Sequence, residues 1–154
     1  MKISVPRLSP KLDTVSVELV KDELSFEAAE IKDTDMSGLV LSGLDINEAR
    51  LEKNSLIRAQ LERLNARDLE SKNTDFSGSN LSNGSVNRAV FSMCRMTGVD
   101  FSTTSLHDVT FRDCKLDMSN FRFANLRRVQ FIDCTLKESD FLGASLHDVV
   151  IRNC

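Results

Sequence analysis

Apolar residues recur at every fifth position over most of the chain. From Leu24 to Asn153 the sequence divides into twenty-six consecutive units of five residues, without an insertion. The third residue of each unit, its centre, is apolar in every unit except the one centred on Ser71. A short period sustained over so many units predicts a solenoid, in which each unit buries its apolar side only against its neighbours.

Two other positions in each unit also have a fixed character. The residue two before the centre is often small, and the residue just before the centre is nearly always polar. Five of the six glycines stand two after the centre: Gly38, Gly43, Gly78, Gly98 and Gly143. Because glycine tolerates positive φ, this column predicts the corners of the solenoid. Each unit should therefore bury one small and one large side chain and then turn.

The sequence also has a longer period of twenty residues, which contains four of the five-residue units. All four cysteines follow it, and so do two sets of central phenylalanines: Phe91, Phe111 and Phe131, then Phe101, Phe121 and Phe141. Central leucines repeat at the same spacing at Leu106, Leu126 and Leu146. Four units of five residues make one coil with four walls. The spacing predicts phenylalanine on two opposite walls, and leucine with Met96 on the other two.

Several units carry a family resemblance. The segments Ser119–Phe123, Ala124–Arg128 and Ser139–Gly143 resemble the A-(D/N)-(L/F)-x-x pattern of the pentapeptide-repeat family. The resemblance implies an all-β fold, a right-handed quadrilateral parallel β-helix of about 6.5 coils of twenty residues. At a spacing of about 4.8 Å per coil, such a rod would be roughly 30 Å long. The family is defined by its architecture and hosts several activities, so the fold alone does not identify a function.

The first twenty-three residues do not follow the five-residue frame. We interpret residues 1–23 as an N-terminal cap and residues 24–154 as the repeat domain. Val15, Val17 and Leu19 alternate with polar residues, which predicts a short strand in the cap. Solenoids need caps because their ends otherwise expose core residues and unpaired backbone.

Two units depart from the pattern of a small residue followed by a large central one, and one inward position is polar. Ala66 and Ser71 occupy central positions, while Leu64 and Leu69 occupy the usually small ones. The exchange roughly conserves volume, so we expect a local repacking or a bulge. Asn54 occupies an inward position and should find hydrogen-bond partners there.

The charge is unevenly distributed. The net charge is −3, yet the segment from Asp13 to Glu48 has ten acidic and two basic residues, a net charge of −8. No basic stripe with aromatic platforms is present, which argues against direct nucleic-acid binding. The N-terminus lacks a signal peptide and no stretch is apolar enough to span a membrane. We therefore expect a bacterial cytoplasmic protein with no membrane contact and with reduced thiols.

Candidate chemical groups are few. The cysteine column predicts small buried thiols and not a zinc site, whose ligands would have to converge. His107-Asp108 and His147-Asp148 are repeats of each other, and their column, Asp68, Arg88, Asp108, Arg128 and Asp148, alternates in sign at every coil. We interpret it as a charge ladder of ion pairs between coils. We predict no catalytic residue, no metal ligand and no cofactor, hence no enzyme.

One wall is the best candidate for an interface. It comprises Leu39–Gly43 and the equivalent units up to Ser139–Gly143, and it carries only five charged residues: Glu62, Arg63, Asp100, Arg122 and Asp140. Phe123 and Leu142 should point outward on it, with Met118 at the preceding corner, and exposed apolar clusters often mark interfaces. Isolated surface hydrophobes are the alternative. Cys154 begins a further unit, so either the chain continues or the open last coil pairs end to end in a homodimer.

Two functions fit these observations. The first is a non-enzymatic scaffold that presents this wall or its open end to a protein partner. The second comes from the resemblance, which implies that some members mimic DNA, bind DNA gyrase and confer quinolone resistance. The acidic N-terminal third favours that alternative, whereas the small net charge and the balanced later coils argue against it.

Overall fold

Eight parallel strands in sequence order form the single sheet of the computed structural model, which describes residues 1–154. The strands are β1 (Asp13–Thr14), β2 (Ser25–Lys32), β3 (Asp45–Glu52), β4 (Asn65–Lys72), β5 (Ser85–Ser92), β6 (Ser105–Arg112), β7 (Asn125–Ile132) and β8 (Ser145–Arg152). One helix, α1 (Val17–Asp22), lies between β1 and β2. From β2 to β8 every paired residue lies opposite the residue twenty positions later, and only the corner residue in the middle of each strand is left out of the ladder. The predicted period and the all-β parallel fold are confirmed.

Each coil has four walls. Strands β2 to β8 bend at their middle and so cover two walls each. The other two walls are joined from coil to coil by isolated bridges, such as Asp75 with Arg95 and Asn80 with Asp100. Successive coils therefore stack in register on all four sides.

The corners fall where the glycine column predicted them, and most of them are not glycine. Every fifth residue from Ala28 to Asn153 has positive φ, and twenty-one of these residues have side chains. A side chain in this left-handed conformation costs about 1–2 kcal/mol. The amides of the corner residues donate hydrogen bonds to the next coil. Arg58 N donates to Ser77 O at 2.9 Å, and Phe123 N donates to Leu142 O at 3.0 Å. Bonding between coils thus offsets the local strain.

The large inward side chains form aromatic stacks along the rod axis. Phe91, Phe111 and Phe131 stack with ring centroids 5.1 and 5.0 Å apart. The opposite wall holds the second stack, in which Phe101, Phe121 and Phe141 lie 4.9 and 4.7 Å apart. Rings of the two stacks meet edge to face, for example Phe101 with Phe111 at 6.0 Å. Offset and edge-on contacts are the favourable geometries for such rings.

The exchanged units repack without a bulge. Strand β4 is continuous, and its register with β3 and β5 is unbroken. Leu64 and Leu69 are buried together with Ala66 and Ser71, so both inward positions remain filled. In the next coil a Cβ on Gly84 would lie only 2.7 Å from Leu64 O, which explains the one glycine outside the corner column.

Asn54 has the partners that its inward position demands. Its amide nitrogen donates to Ile31 O at 2.8 Å, and its Oδ1 accepts from Thr34 N at 3.0 Å. Both polar ends of the buried side chain are therefore satisfied, and the core accommodates the amide without an orphaned group.

The strand predicted through Val15, Val17 and Leu19 is wrong. Only Asp13–Thr14 is a strand, and Val17–Asp22 is a helix capped by Ser16, whose Oγ accepts from Leu19 N. The apolar alternation was misleading because Val15 and Val20 are the buried residues, whereas Leu19 is exposed. Those two valines belong to the hydrophobic core, which the cap extends beyond the first coil.

Candidate interaction surfaces

Three exposed apolar side chains lie where the sequence predicted them. Met118, Phe123 and Leu142 are 57%, 62% and 57% exposed, respectively. Met118 and Phe123 are corner residues with a φ of 57°, which turns their side chains away from the core. Leu142 follows the inward Phe141 and so points outward. We call these three residues the Phe123 patch.

The Phe123 ring packs at a defined position on the surface of the rod. It lies against Gly143, the equivalent corner one coil later, where a Cβ would collide with ring atoms Cδ1 and Cε1. Arg122 and Asp140, which belong to the same two units, form an ion pair at 3.3 Å. The ring therefore contacts the next coil, and a charged pair belongs to the same two units, which is the arrangement of an apolar patch with a polar rim.

The last coil leaves core positions uncovered. Leu146 and Ile151 are 53% and 55% exposed, although their equivalents in the preceding coil, Leu126 and Phe131, are fully buried. Strand β8 has a neighbour on one side only. This end of the rod presents both apolar side chains and an unpaired strand edge.

Cys154 lies at this end, on a different wall from the Phe123 patch. Its thiol donates to Phe131 O at 3.4 Å and to Arg152 O at 3.2 Å. The side chain is exposed, whereas the thiols of Cys94, Cys114 and Cys134 are buried. The four predicted interface residues thus form two separate surfaces.

The buried thiols donate hydrogen bonds to backbone carbonyls. Cys114 donates to Phe91 O at 3.4 Å and Cys134 to Phe111 O at 3.4 Å. Contact with Cys134 and Cys94, together with burial, raises the pKa of Cys114. Hydrogen bonding to Cys114 lowers the pKa of Cys134 to about 7. All four cysteines are free, and the column is continuous with the apolar core.

The charge ladder is present only in part. Arg88 binds Asp68 through Nε–Oδ1 at 2.7 Å and Nη2–Oδ2 at 2.6 Å. Arg128 binds Asp108 in the same way at 2.7 and 2.8 Å. Each arginine pairs with the aspartate one coil before it, so the ladder consists of two separate pairs instead of a continuous run. In each pair both carboxylate oxygens accept from the arginine, which is the favoured bidentate geometry.

These pairs shift the ionisation of the aspartates. Hydrogen bonding to Arg88 lowers the pKa of Asp68, and hydrogen bonding to Arg128 lowers the pKa of Asp108. His107 is part of the second pair, since its Nε2 lies 2.7 Å from Arg128 Nη2. His147 instead lies 3.7 Å from its neighbour Asp148, and both are exposed. The two His-Asp repeats therefore have different surroundings.

The N-terminal residues form a surface feature that the sequence did not predict. The chain before β1 runs lengthwise over one corner of the rod. Ser9 N donates to Glu48 Oε2 at 2.9 Å, Arg7 N to Asp68 Oδ1 at 2.9 Å and Ser4 N to Asp108 Oδ1 at 3.3 Å. We call residues 3–9 the strap. Its acceptors, Glu48, Asp68 and Asp108, are corner residues of one column.

Groups that could support other chemistry are scarce. No three His, Cys, Asp or Glu side chains come together in a way that would hold a metal ion. The one helix, α1, is six residues long, and no helix could cross a membrane. A cavity of about 30 Å³ in the N-terminal half of the core is lined only by hydrophobic side chains. The notable surfaces are thus the Phe123 patch, the open end and the strap corner.

These features define a class of protein: a β-solenoid with four-walled coils built from five-residue units. Residues 84–154 match the family model for a pentapeptide repeat region, so the resemblance to the pentapeptide-repeat family is confirmed. The same coil geometry continues outside the matched residues, back to Ser25. No curated protein matches the sequence.

Comparison with a solved structure supports the assignment of the fold. The chain is similar to QnrB1, described as a plasmid-mediated fluoroquinolone resistance protein, with a TM-score of 0.51 and 20% identity over 82% of this chain and 68% of that one. It is also similar to Rfr23 from the cyanobacterium Cyanothece 51142, with a TM-score of 0.36 and 14% identity over 88% and 96% of the two chains. For HetL from Nostoc sp. PCC 7120 the TM-score is 0.30 and the identity 18%, over 81% and 73%. At these identities the likeness concerns the fold.

Proposed function

We propose that this protein is a non-enzymatic scaffold that binds a protein partner through the Phe123 patch. The observation that carries the proposal is the packing of Phe123 against Gly143, which holds an exposed aromatic ring in place on a wall that also exposes Leu142, with Met118 at its preceding corner. Aromatic and methionine side chains are enriched at interfaces, and a ring fixed before binding loses little conformational entropy on association. The four free thiols favour a reducing compartment such as the bacterial cytoplasm.

The patch can be tested with a matched pair of variants. Phe123→Asp combined with Leu142→Asp should abolish capture of the partner from the source cell by the immobilised protein. Ile57→Asp combined with Met93→Asp is the control, because it also places two aspartates at exposed apolar positions but lies outside the wall that carries the patch. If both double variants retain the same partners, or both lose them, the patch is not the binding surface.

The open end supports a second mode of association, an end-to-end homodimer through the last coil. Two exposed apolar positions, Leu146 and Ile151, would be buried against the same residues of a second copy. Sedimentation tests this interface by comparing the wild-type chain with the double variant Leu146→Lys and Ile151→Lys. The wild type should be a dimer and the variant a monomer. A dimer that persists in the variant would exclude this interface.

The alternative function is that of a DNA mimic that binds gyrase. The acidic segment from Asp13 to Glu48 favours it, with ten acidic and two basic residues at one end of the rod. A supercoiling assay with increasing protein, with and without a fluoroquinolone, tests it directly. Inhibition of supercoiling, or relief of drug-induced cleavage, would support the gyrase interaction. No effect at micromolar protein would exclude it.

A further inference from the structure

The hydrogen-bond donors of the strap are spaced to match the coils of the rod along one corner. Its amide donors Ser4 and Arg7 are three residues apart, and their acceptors, Asp108 and Asp68, are two coils apart. Three residues of polyproline II chain span about 9 Å, and two coils span about 9.6 Å. Pro6 and Pro10 favour this extended conformation. The corner therefore matches an extended backbone that runs along the rod axis.

The carboxylates that accept hydrogen bonds from the strap are held in position by other residues of the rod. Asp68 and Asp108 are each fixed by a bidentate arginine, Arg88 and Arg128, and both aspartates are buried with the strap in place. In each aspartate Oδ1 accepts both from the arginine Nε and from a strap amide, while the charge of the carboxylate is balanced. Pairing with arginine thus organises the site before any chain binds.

The strap itself is held weakly. Residues 1–12 make no backbone–backbone hydrogen bond with the rod. Ser4, Arg7 and Ser9 are exposed, and Ile3, Pro6 and Leu8 are only half-buried. Few buried contacts must offset the loss of conformational freedom of the whole segment, so this region has low local stability. Its release from the corner would leave the backbone hydrogen bonds of the rod intact.

An open groove lies beside the strap. Its volume is about 490 Å³, and it is lined on one side by Val5 and Pro6 and on the other by charged and apolar residues of the rod that include Arg50, Glu70 and Val90. A segment that bound the corner and also filled this groove would make contacts that the strap does not make. Such a segment could displace the strap.

We propose that the strap corner is a binding site for an extended, proline-containing segment of a partner protein, and that the strap occupies this site in the unbound chain. The segment would carry free amides at the spacing of Ser4, Arg7 and Ser9, and a basic residue near Asp68, as Arg7 does here. A second copy of this chain is a poor competitor, because its identical strap makes no additional contact and the tethered strap has the higher effective concentration. The site lies on a different corner from the Phe123 patch and is independent of it.

The test uses a variant whose strap cannot donate its three hydrogen bonds, so that the strap leaves the corner while the residues of the corner are unchanged. Full-length protein with Ser4→Pro, Arg7→Pro and Ser9→Pro lacks all three amide donors of its strap, while the corner residues are untouched. The probe is a fluorescein-labelled peptide with the wild-type sequence of residues 1–12. The peptide should bind the triple-proline protein at least tenfold more tightly than wild type, because the competing strap is disabled. Asp68→Ala with Asp108→Ala in the triple-proline background should weaken that binding about tenfold or more.

Two controls make the result decisive. A peptide that carries the same three proline substitutions should not bind, and circular dichroism should show an unchanged fold in all variants. Equal binding of the wild-type peptide to wild-type and triple-proline protein, or no binding to either up to about 1 mM, would overturn the proposal. Wild-type protein that self-associates in sedimentation, and loses this in the triple-proline variant, would identify a second copy as the occupant and overturn the assignment to a partner.

Discussion

The ring of Phe123 lies on the α-carbon of Gly143, one coil further along the chain. Gly143→Ala should displace the ring, because the new Cβ would collide with it. The substitution also places a side chain at a φ of +69° and should cost about 1–2 kcal/mol in addition. We expect altered NMR chemical shifts of the Phe123 ring and weaker binding of any partner that uses the patch.

Gly98→Ala is the matched control for this prediction. Gly98 has the same φ of +69°, and a Cβ there would have no atom within 4 Å. It should lower the free energy of unfolding through the backbone alone and leave the Phe123 shifts unchanged. Identical spectra for the two variants would mean that Phe123 is not seated on Gly143.

Asp68→Ala should destabilise the rod by about 1–3 kcal/mol, because it leaves the half-buried Arg88 without its carboxylate. It also removes the acceptor of Arg7 N, so the strap should become easier to cleave by protease. Chemical denaturation measures the first effect and limited proteolysis the second.

Glu70→Ala provides the comparison for the aspartate. Glu70 pairs with Arg50 at 3.2 Å, and both side chains are more than 40% exposed. Surface pairs of this kind contribute little, so the loss should stay within about 0.5 kcal/mol. A cost for Glu70→Ala as large as that for Asp68→Ala would show that burial of the pair does not decide its contribution.

The stability of the rod should depend on pH through the two arginine-bound aspartates. Arg88 and Arg128 lower the pKa of Asp68 and Asp108 in the folded chain, from an ordinary value of 3.8. A lowered folded pKa means that the contribution is fully present above pH 3.8 and is lost as pH falls through the folded value. Unfolding midpoints should therefore be insensitive to these groups between about pH 5 and 8. The fall below pH 4 should be shallower in Asp68→Asn with Asp108→Asn than in wild type.

One thiol should react quickly with a disulfide reagent in the native protein. Cys154 is exposed, whereas Cys94, Cys114 and Cys134 are enclosed by the coils. A lowered pKa of Cys134, about 7, does not help a reagent that cannot reach the sulfur. Titration should give one fast equivalent in the folded state and four after unfolding, and Cys154→Ser should abolish the fast phase. Rapid loss of all four thiols would mean that the coils open readily.

The repeat domain was predictable because each of its contacts recurs. The position of Phe111 in its unit is enough to place it between Phe91 and Phe131. The same reasoning identified the corner glycines and the exposed side chain of Phe123. Local periodicity specifies such a fold because each coil contacts mainly its neighbours.

The parts that lacked a period were not predictable in the same way. Residues 1–23 have no repeat, and the helix depends on Ser16 as a cap and on burial of Val20. The strap depends on contacts such as Ser4 with Asp108, which are 104 residues apart and leave no local signal. Arg88 pairs with Asp68 and not with Asp108. A column of alternating charges does not reveal it.

The register of twenty residues also sets the steps by which such a rod can change its length. Removal of one five-residue unit would keep every later corner in phase but turn all later columns by one wall. Phe111 and the later phenylalanines would then stack on columns of leucine. The aspartates would no longer lie next to the arginines that bind them. Removal of a whole coil would restore every column. Duplication or loss of genetic segments encoding twenty residues is therefore the change that this architecture tolerates, and its length should vary in units of one coil.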